Sequence, residues 1–209
     1  MEKPINVLTK ALGKFNTENL SQLLFDNKSE IACNQRLCVA INQHSKDYLA
    51  RVEYTNKADS VSRADLVLIN KKTGRVDLCI EAKTLATFNI LSPTEGEKKK
   101  GKSHPLFNSL KKSLDKHGDE VSKASLMWIF GWEKLDNNPE RHLQEKYFQG
   151  RKREGMDLPP NEKDICKKIK DSFSEAKLGK DIKHKILYAK DKHEGYKAFV
   201  IATVGHYKK

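Results

Sequence analysis

Asp65, Glu81 and Lys83 are the residues of this chain whose types and spacing could do chemistry. They lie in RADLVLINKKTGRVDLCIEAKT, two apolar runs joined by a Lys-Lys-Thr-Gly turn. Gly74 can take the positive φ that a short hairpin loop demands. With the turn centred near Thr73, Asn70 faces Val76, Leu68 faces Leu78, and Asp65 faces Glu81. Directly opposed residues in an antiparallel pair have Cβ atoms about 4.5–5.5 Å apart. Side chains alternate along a strand, so Glu81 and Lys83 share a face with each other and with Asp65. A slip of one residue would send Asp65 to the other face, so everything rests on the turn. Asp77 shares that face but lies toward the turn, where solvent is expected.

Two carboxylates this close repel, and burying either without compensation costs several kcal/mol, of order ~2–7 for a polar group. A divalent cation compensates both. Mg²⁺ prefers one or two carboxylates plus water and substrate oxygens, with Mn²⁺ as its substitute. Lys83, beside such an ion, can orient a water or stabilise charge developing on phosphorus. Metal-assisted phosphodiester hydrolysis is the chemistry this set fits. The alternative is a salt bridge between Asp65 and Lys83 at a sheet edge, with Glu81 in solvent.

The elements that must position these groups are legible. Apolar residues recur at helical spacing over residues 18–43 around a break at Asp26-Asn27. Residues 47–55 alternate like a half-buried strand. Both runs of the hairpin are apolar on both faces, which places them inside a sheet. After a polar loop over 84–103, Pro105 opens a helix whose apolar face is Leu106, Phe107, Leu110 and Leu114, and Gly118 closes it. KASLMWIFGW then reads as a buried strand. Strand, helix, strand implies a crossover and a locally parallel pair. Two helices over 139–178, separated at Pro159-Pro160, and a hairpin around Gly195 complete the chain. The fold class is α/β, one domain over 1–209, with a central mixed sheet flanked by helices. Trp128 and Trp132 are read as core residues rather than base-stacking ones.

Composition narrows the partners. The chain has 209 residues, with 40 Lys or Arg against 28 Asp or Glu, a formal charge of +12. A field of that sign concentrates polyanions. Lys98, Lys99, Lys100 and Lys102 cluster in the polar loop, and Lys111, Lys112 and Lys116 follow on the next helix. Lys146, Arg151, Lys152 and Arg153 form a second group. Contacts of this kind to phosphate give affinity without reading base sequence. No apolar run reaches the ~18 residues of a membrane span. No secretory signal opens the chain, so a cytoplasmic protein is expected. Cys33, Cys38, Cys79 and Cys166 include no C-x-x-C pair, and the first three sit in apolar contexts as small buried hydrophobes. His184, His193 and His206 form no i,i+4 pair, so a zinc or thiol enzyme is disfavoured.

An acid on one strand followed by Glu-x-Lys on the next resembles the PD-(D/E)XK nuclease superfamily, the restriction-endonuclease-like fold. Glu-x-Lys also occurs at Glu97 to Lys99 and Glu175 to Lys177, but only Glu81 ends a buried strand paired to one bearing an acid. The resemblance covers residues 18–132, about half the chain. Ala64 precedes Asp65 where the pattern has proline, and residues 139–209 match nothing in it. It implies that Asp65, Glu81 and the Ala82 carbonyl hold the metal and that Lys83 positions the attacking water. It also implies that a further acid comes from the N-terminal helix. Glu30 is the best placed, with Glu18 and Glu53 behind it. The implied activity is a Mg²⁺-dependent DNA endonuclease leaving a 5′-phosphate, restriction-type or mobile-element associated and working as a homodimer. The rivals are a non-catalytic nucleic-acid-binding module with the same fold, and a basic protein-interaction factor.

Overall fold

The computed structural model of the chain describes residues 2–25, 29–56, 58–86, 105–134, 162–191 and 196–207. Three helices come first: α1 (Pro4–Leu12), α2 (Leu20–Phe25) and α3 (Ser29–His44). A three-stranded meander follows, β1 (Tyr48–Asn56), β2 (Val61–Asn70) and β3 (Val76–Ala86). Then come α4 (Pro105–Leu114), β4 (Ser122–Lys134), α5 (Glu162–Glu175) and the pair β5 (Lys180–Tyr188) and β6 (Tyr196–Tyr207). All six strands form one mixed sheet in the order β1-β2-β3-β4-β6-β5. β3 and β4 are parallel, as a helical crossover requires, and every other neighbouring pair is antiparallel. The first helix expected over 139–178 lies outside the described residues.

Alternation along the strands sorts the sheet into two buried faces. Leu66, Leu68, Leu78, Ile80, Leu126 and Trp128 point to one side and pack with Leu8 and Leu12 of α1, Leu20 of α2, and Cys33, Leu37 and Ile41 of α3. Met127, Ile129, Phe199 and Ile201 point to the other, against Phe107, Leu110 and Leu114 of α4 and Ile169 and Phe173 of α5. Phe107 meets Phe173 edge to face, ring centroids 5.6 Å apart. Each such fully buried side chain contributes roughly 1.5–3 kcal/mol, so helices cover both faces of the sheet. No helix among the described residues is long and apolar enough to cross a membrane.

The central hairpin keeps the expected register in its middle, with Leu66 opposite Ile80, Val67 opposite Cys79 and Leu68 opposite Leu78, but the ladder stops before the expected Asp65–Glu81 pair. Nearer the turn it departs. A bulge sets Val76 opposite Ile69 instead of Asn70. The Asn70 N–H donates to the Arg75 carbonyl (2.9 Å), the Gly74 N–H donates to the Asn70 carbonyl (2.8 Å), and Gly74 adopts φ 72°. This four-residue loop has one residue more on β3 than a symmetric turn, and the bulge absorbs it. Asp77 is therefore not solvated on the Asp65 face. Its Oδ2 accepts from the Tyr48 hydroxyl (3.1 Å) and from Asn70 Nδ2 (2.9 Å).

Two other departures are local. The sequence pattern gave no helix before residue 18, yet α1 forms with Pro4 at its start and Val7, Leu8, Ala11 and Leu12 buried. Cys38 is only half-buried, its thiol donating to the Ala50 carbonyl, while Cys33 and Cys79 are fully buried. Trp128 is a core residue, as expected. It is 1% exposed, packs beside Phe15, and its Nε1–H donates to Oδ1 of the buried Asn34 at 2.8 Å, tying α3 to the sheet. Trp128→Phe should lower the unfolding free energy by about 1–3 kcal/mol, because it orphans that buried acceptor. Urea denaturation measures the loss. A base-stacking role would instead weaken DNA affinity and leave stability unchanged.

Candidate active site

The site begins where two strands part. The β2–β3 ladder ends at the Leu66–Ile80 pair, one step short of Asp65 and Glu81. β2 continues beside β1, with Ala64 opposite Tyr54, while β3 continues beside β4 as far as the Ala86–Phe130 pair. At this fork Asp65 Oδ2 replaces the missing ladder partner, accepting from the Ala82 N–H at 2.8 Å. A buried N–H left unpaired would cost about 1–3 kcal/mol, so the carboxylate closes the gap and is itself fixed by it.

Lys83 and Glu30 complete the cluster. Lys83 Nζ lies 2.6 Å from the Ala82 carbonyl oxygen, 3.3 Å from Glu30 Oε1 and 3.8 Å from Asp65 Oδ2. Glu30 stands in the first turn of α3, and its Oε2 accepts from the Thr84 N–H at 3.0 Å. One carboxylate thus anchors both the backbone and the ammonium of β3. Glu81 points into the protein and is 5% exposed. Its Oε1 lies 2.8 Å from Nε2 of the buried His117, in the connection between α4 and β4.

The alternative reading of these residues holds in one part only. Asp65 and Lys83 do form an ion pair, but β2 and β3 are interior strands and Glu81 is not in solvent. Glu53 pairs with Arg63 on the exposed outer edge, and Glu18 with Lys190, so neither enters the cluster. Lys111 and Lys112 lie in the last turn of α4, half-buried and exposed respectively. Lys98, Lys99, Lys100 and Lys102 lie outside the described residues, as does the group from Lys146 to Arg153.

Sequence reasoning missed His117 and Lys123. Lys123 alternates with Ser125 and Met127 onto the buried face beside Cys79, and its Nζ donates to the His117 carbonyl (2.7 Å) and pairs with Asp119 Oδ1 (3.0 Å). The period-two pattern of β4 was the available signal for Lys123. Nothing local marks His117, whose partner is 36 residues away in sequence.

Two acids, Glu30 and Asp65, pair with the Lys83 ammonium, and Glu81, turned to His117, follows on β3. Asp65 and Glu81 each spend one carboxylate oxygen on the protein, and the second oxygen of each makes no hydrogen bond among the described residues. Lys83 already shows the cradle's preference, since its ammonium rests among oxygens of Glu30, Asp65 and Ala82. The described residues hold no group of three His, Cys, Asp or Glu side chains close enough to cage an ion. Mg²⁺ does not need one, because it binds through one or two carboxylates and fills its shell with water and phosphate. Asp65 and Glu81 supply two carboxylates of that kind, and the Ala82 carbonyl, which Lys83 Nζ contacts at 2.6 Å, would be the third oxygen.

Burial is the main reason that Glu81 and Glu30 both protonate more readily than a free glutamate. The nearby Asp65 charge adds to it, while His117 opposes it at Glu81 and Lys83 opposes it at both. The folded chain holds these protons more tightly than the unfolded chain. The stability that this gives is fully present below the ordinary pKa of 4.5 and is lost as pH rises through the raised value. Glu81→Gln, neutral at every pH, should therefore melt above wild type at pH 7. The gain is about 2–4 °C for each kcal/mol of ionisation penalty removed, and the gap should close below pH 4.5. Scanning calorimetry across pH checks this, and equal melting at pH 7 would contradict it. Comparison of the chain with family models, with curated proteins and with solved structures finds no match.

Proposed function

We propose that the chain is a Mg²⁺-dependent DNA endonuclease of the PD-(D/E)XK kind, with a restriction-endonuclease-like fold. The observation that carries this reading is the contact of Lys83 with Asp65 and Glu30 at the β2–β3 fork, with Glu81 two residues before Lys83 on β3 and within reach of the Asp65 and Lys83 charges. Asp65 and Glu81 would hold the ion with the Ala82 carbonyl. Bound Mg²⁺, or Mn²⁺ in its place, supplies Lewis acidity toward the scissile phosphate and lowers the pKa of water.

The remaining roles belong to the chain. The Asp65 carboxylate is fixed by the Ala82 N–H, so one oxygen is held and the other faces no protein donor among the described residues. Lys83 brings an ammonium to the fork, where it can donate to a water in line with phosphorus and stabilise charge on the phosphoryl oxygens. Glu30 keeps Lys83 there through the Oε1 contact while its other oxygen grips the β3 backbone. Glu30 is thus an anchor for the lysine. The charge of +12 supplies long-range attraction to a polyanion, with Lys111 and Lys112 as contributors. A homodimer in the cytoplasm, cutting in a restriction or mobile-element setting, is the context proposed with this activity.

One observation favours a second reading, a nucleic-acid-binding module without catalysis. Lys83 occupies the Ala82 carbonyl and pairs with Asp65, so the acids have a protein counter-charge of their own. Cleavage separates the two. Supercoiled plasmid incubated with the full chain should be nicked or linearised in Mg²⁺ and left intact in EDTA. Asp65→Asn and Lys83→Ala should each lower the rate by at least about 10²–10³, the usual loss when one transition-state contact is removed. Undiminished cleavage by both variants would remove this site. DNA binding without cleavage in Mg²⁺ or Mn²⁺ would leave the second reading.

A further inference from the structure

We propose that His117 is a positioning residue for Glu81, and that the connection between α4 and β4 is built to hold it there. The proposal rests on the metal-site reading above. His117 Nε2 and Glu81 Oε1 are 2.8 Å apart, and the two side chains are 0% and 6% exposed. The other ring nitrogen, Nδ1, is buried and has no hydrogen-bond partner among the described residues. The imidazole is therefore held at one polar end only, and that end is Glu81.

The corner around it is fixed from several sides. Lys123, itself 4% exposed, donates to the His117 carbonyl (2.7 Å). The next residue's amide, Gly118 N–H, donates to the Ser60 carbonyl (2.9 Å), and a Cβ at Gly118 would lie 2.5 Å from Ser60 Cβ, so no larger residue fits that approach. The Tyr207 hydroxyl donates to Asp115 Oδ1 (2.6 Å). A plain helix-to-strand connection needs none of this. Burying an imidazole with an unpaired nitrogen is unfavourable by about 1–3 kcal/mol, which a leucine at 117 would avoid.

What the arrangement accomplishes is orientation. A glutamate has three side-chain torsions, and a metal-ligating carboxylate with neither oxygen fixed samples many of their combinations. By donating Nε2–H to Oε1, His117 selects one and leaves Oε2 as the oxygen available to the cation. Groups that orient a metal ligand in this way typically change metal affinity or activity 10–100-fold when removed.

The test is Mn²⁺ affinity of the full chain, read from the electron paramagnetic resonance signal of free Mn²⁺, for wild type, His117→Leu and His117→Gln. Gln carries an N–H near the Nε2 position, whereas Leu fills the space without a donor. Leu should weaken Mn²⁺ binding by about 10–100-fold and Gln should restore most of it, both melting as folded proteins by circular dichroism. A folded Leu variant with wild-type affinity, or a Gln variant no better than Leu, overturns the positioning role while leaving the metal site intact. Wild type that binds no Mn²⁺ overturns both. Should the variants not fold, ¹⁵N spectra of the wild-type imidazole decide. A proton on Nε2 that is displaced by Glu81→Ala supports the role, and a proton on Nδ1 contradicts it.

Discussion

The Lys83 ammonium sits among oxygens that would otherwise repel one another, and the local structure is arranged around that contact. Glu30 and Asp65 come from a helix and a strand and meet at the same ammonium, and like charges brought together where water is partly excluded repel. Lys83 offsets part of this through Glu30 and Asp65. His117 offsets part of the burial penalty at Glu81, and burial first, with the Asp65 charge adding to it, is why both glutamates protonate more readily than a free one. Under the proposed function a divalent cation would balance the negative charge that remains.

The sheet turns that imbalance into a place. Between Leu66 and Leu68 on one strand and Leu78 and Ile80 on the other, the hairpin is an ordinary buried pair. Beyond it, β3 stays with its parallel neighbour β4 while β2 stays with β1, and the groups between them are no longer required by the ladder. The Ala82 amide finds Asp65, the Thr84 amide finds Glu30, and each satisfied backbone donor fixes a carboxylate. Backbone satisfaction and preorganisation of the site are thus the same set of hydrogen bonds. Because α3 also packs Leu37 and Ile41 into the core, Glu30 stands on a rigid element rather than a loop.

Much of this was legible in the sequence because the hairpin encodes its own register. The apolar alternation of Leu66, Leu68, Leu78 and Ile80 and the permissive Gly74 determine which residues of the paired stretch face each other, but the expected Asp65–Glu81 pair lies beyond the end of the ladder. The bulge beside the turn was not legible. It depends on whether the loop closes at Asn70 and Arg75 or one residue later, a difference of backbone hydrogen bonding that residue types do not encode. Glu30 could be placed on a helix, but its distance from Lys83 is a tertiary fact, and only the family resemblance singled it out. His117 carried no local pattern at all, because it lies in a connection and its neighbour in space, Glu81, is 36 residues away on β3. α1 was missed because its stripe spans barely two turns, too short to separate from chance spacing.

In the proposed site, the second carboxylate oxygens of Asp65 and Glu81, those not bonded to Ala82 or His117, share a divalent ion. Anomalous diffraction from crystals soaked in Mn²⁺ tests this most directly. It should show one strong peak within coordination distance of both carboxylates and the Ala82 carbonyl, about 2.0–2.2 Å, the range for a small hard cation on oxygen. A map with no peak at the fork, its acids still bound only to Lys83, His117 and backbone amides, would contradict it.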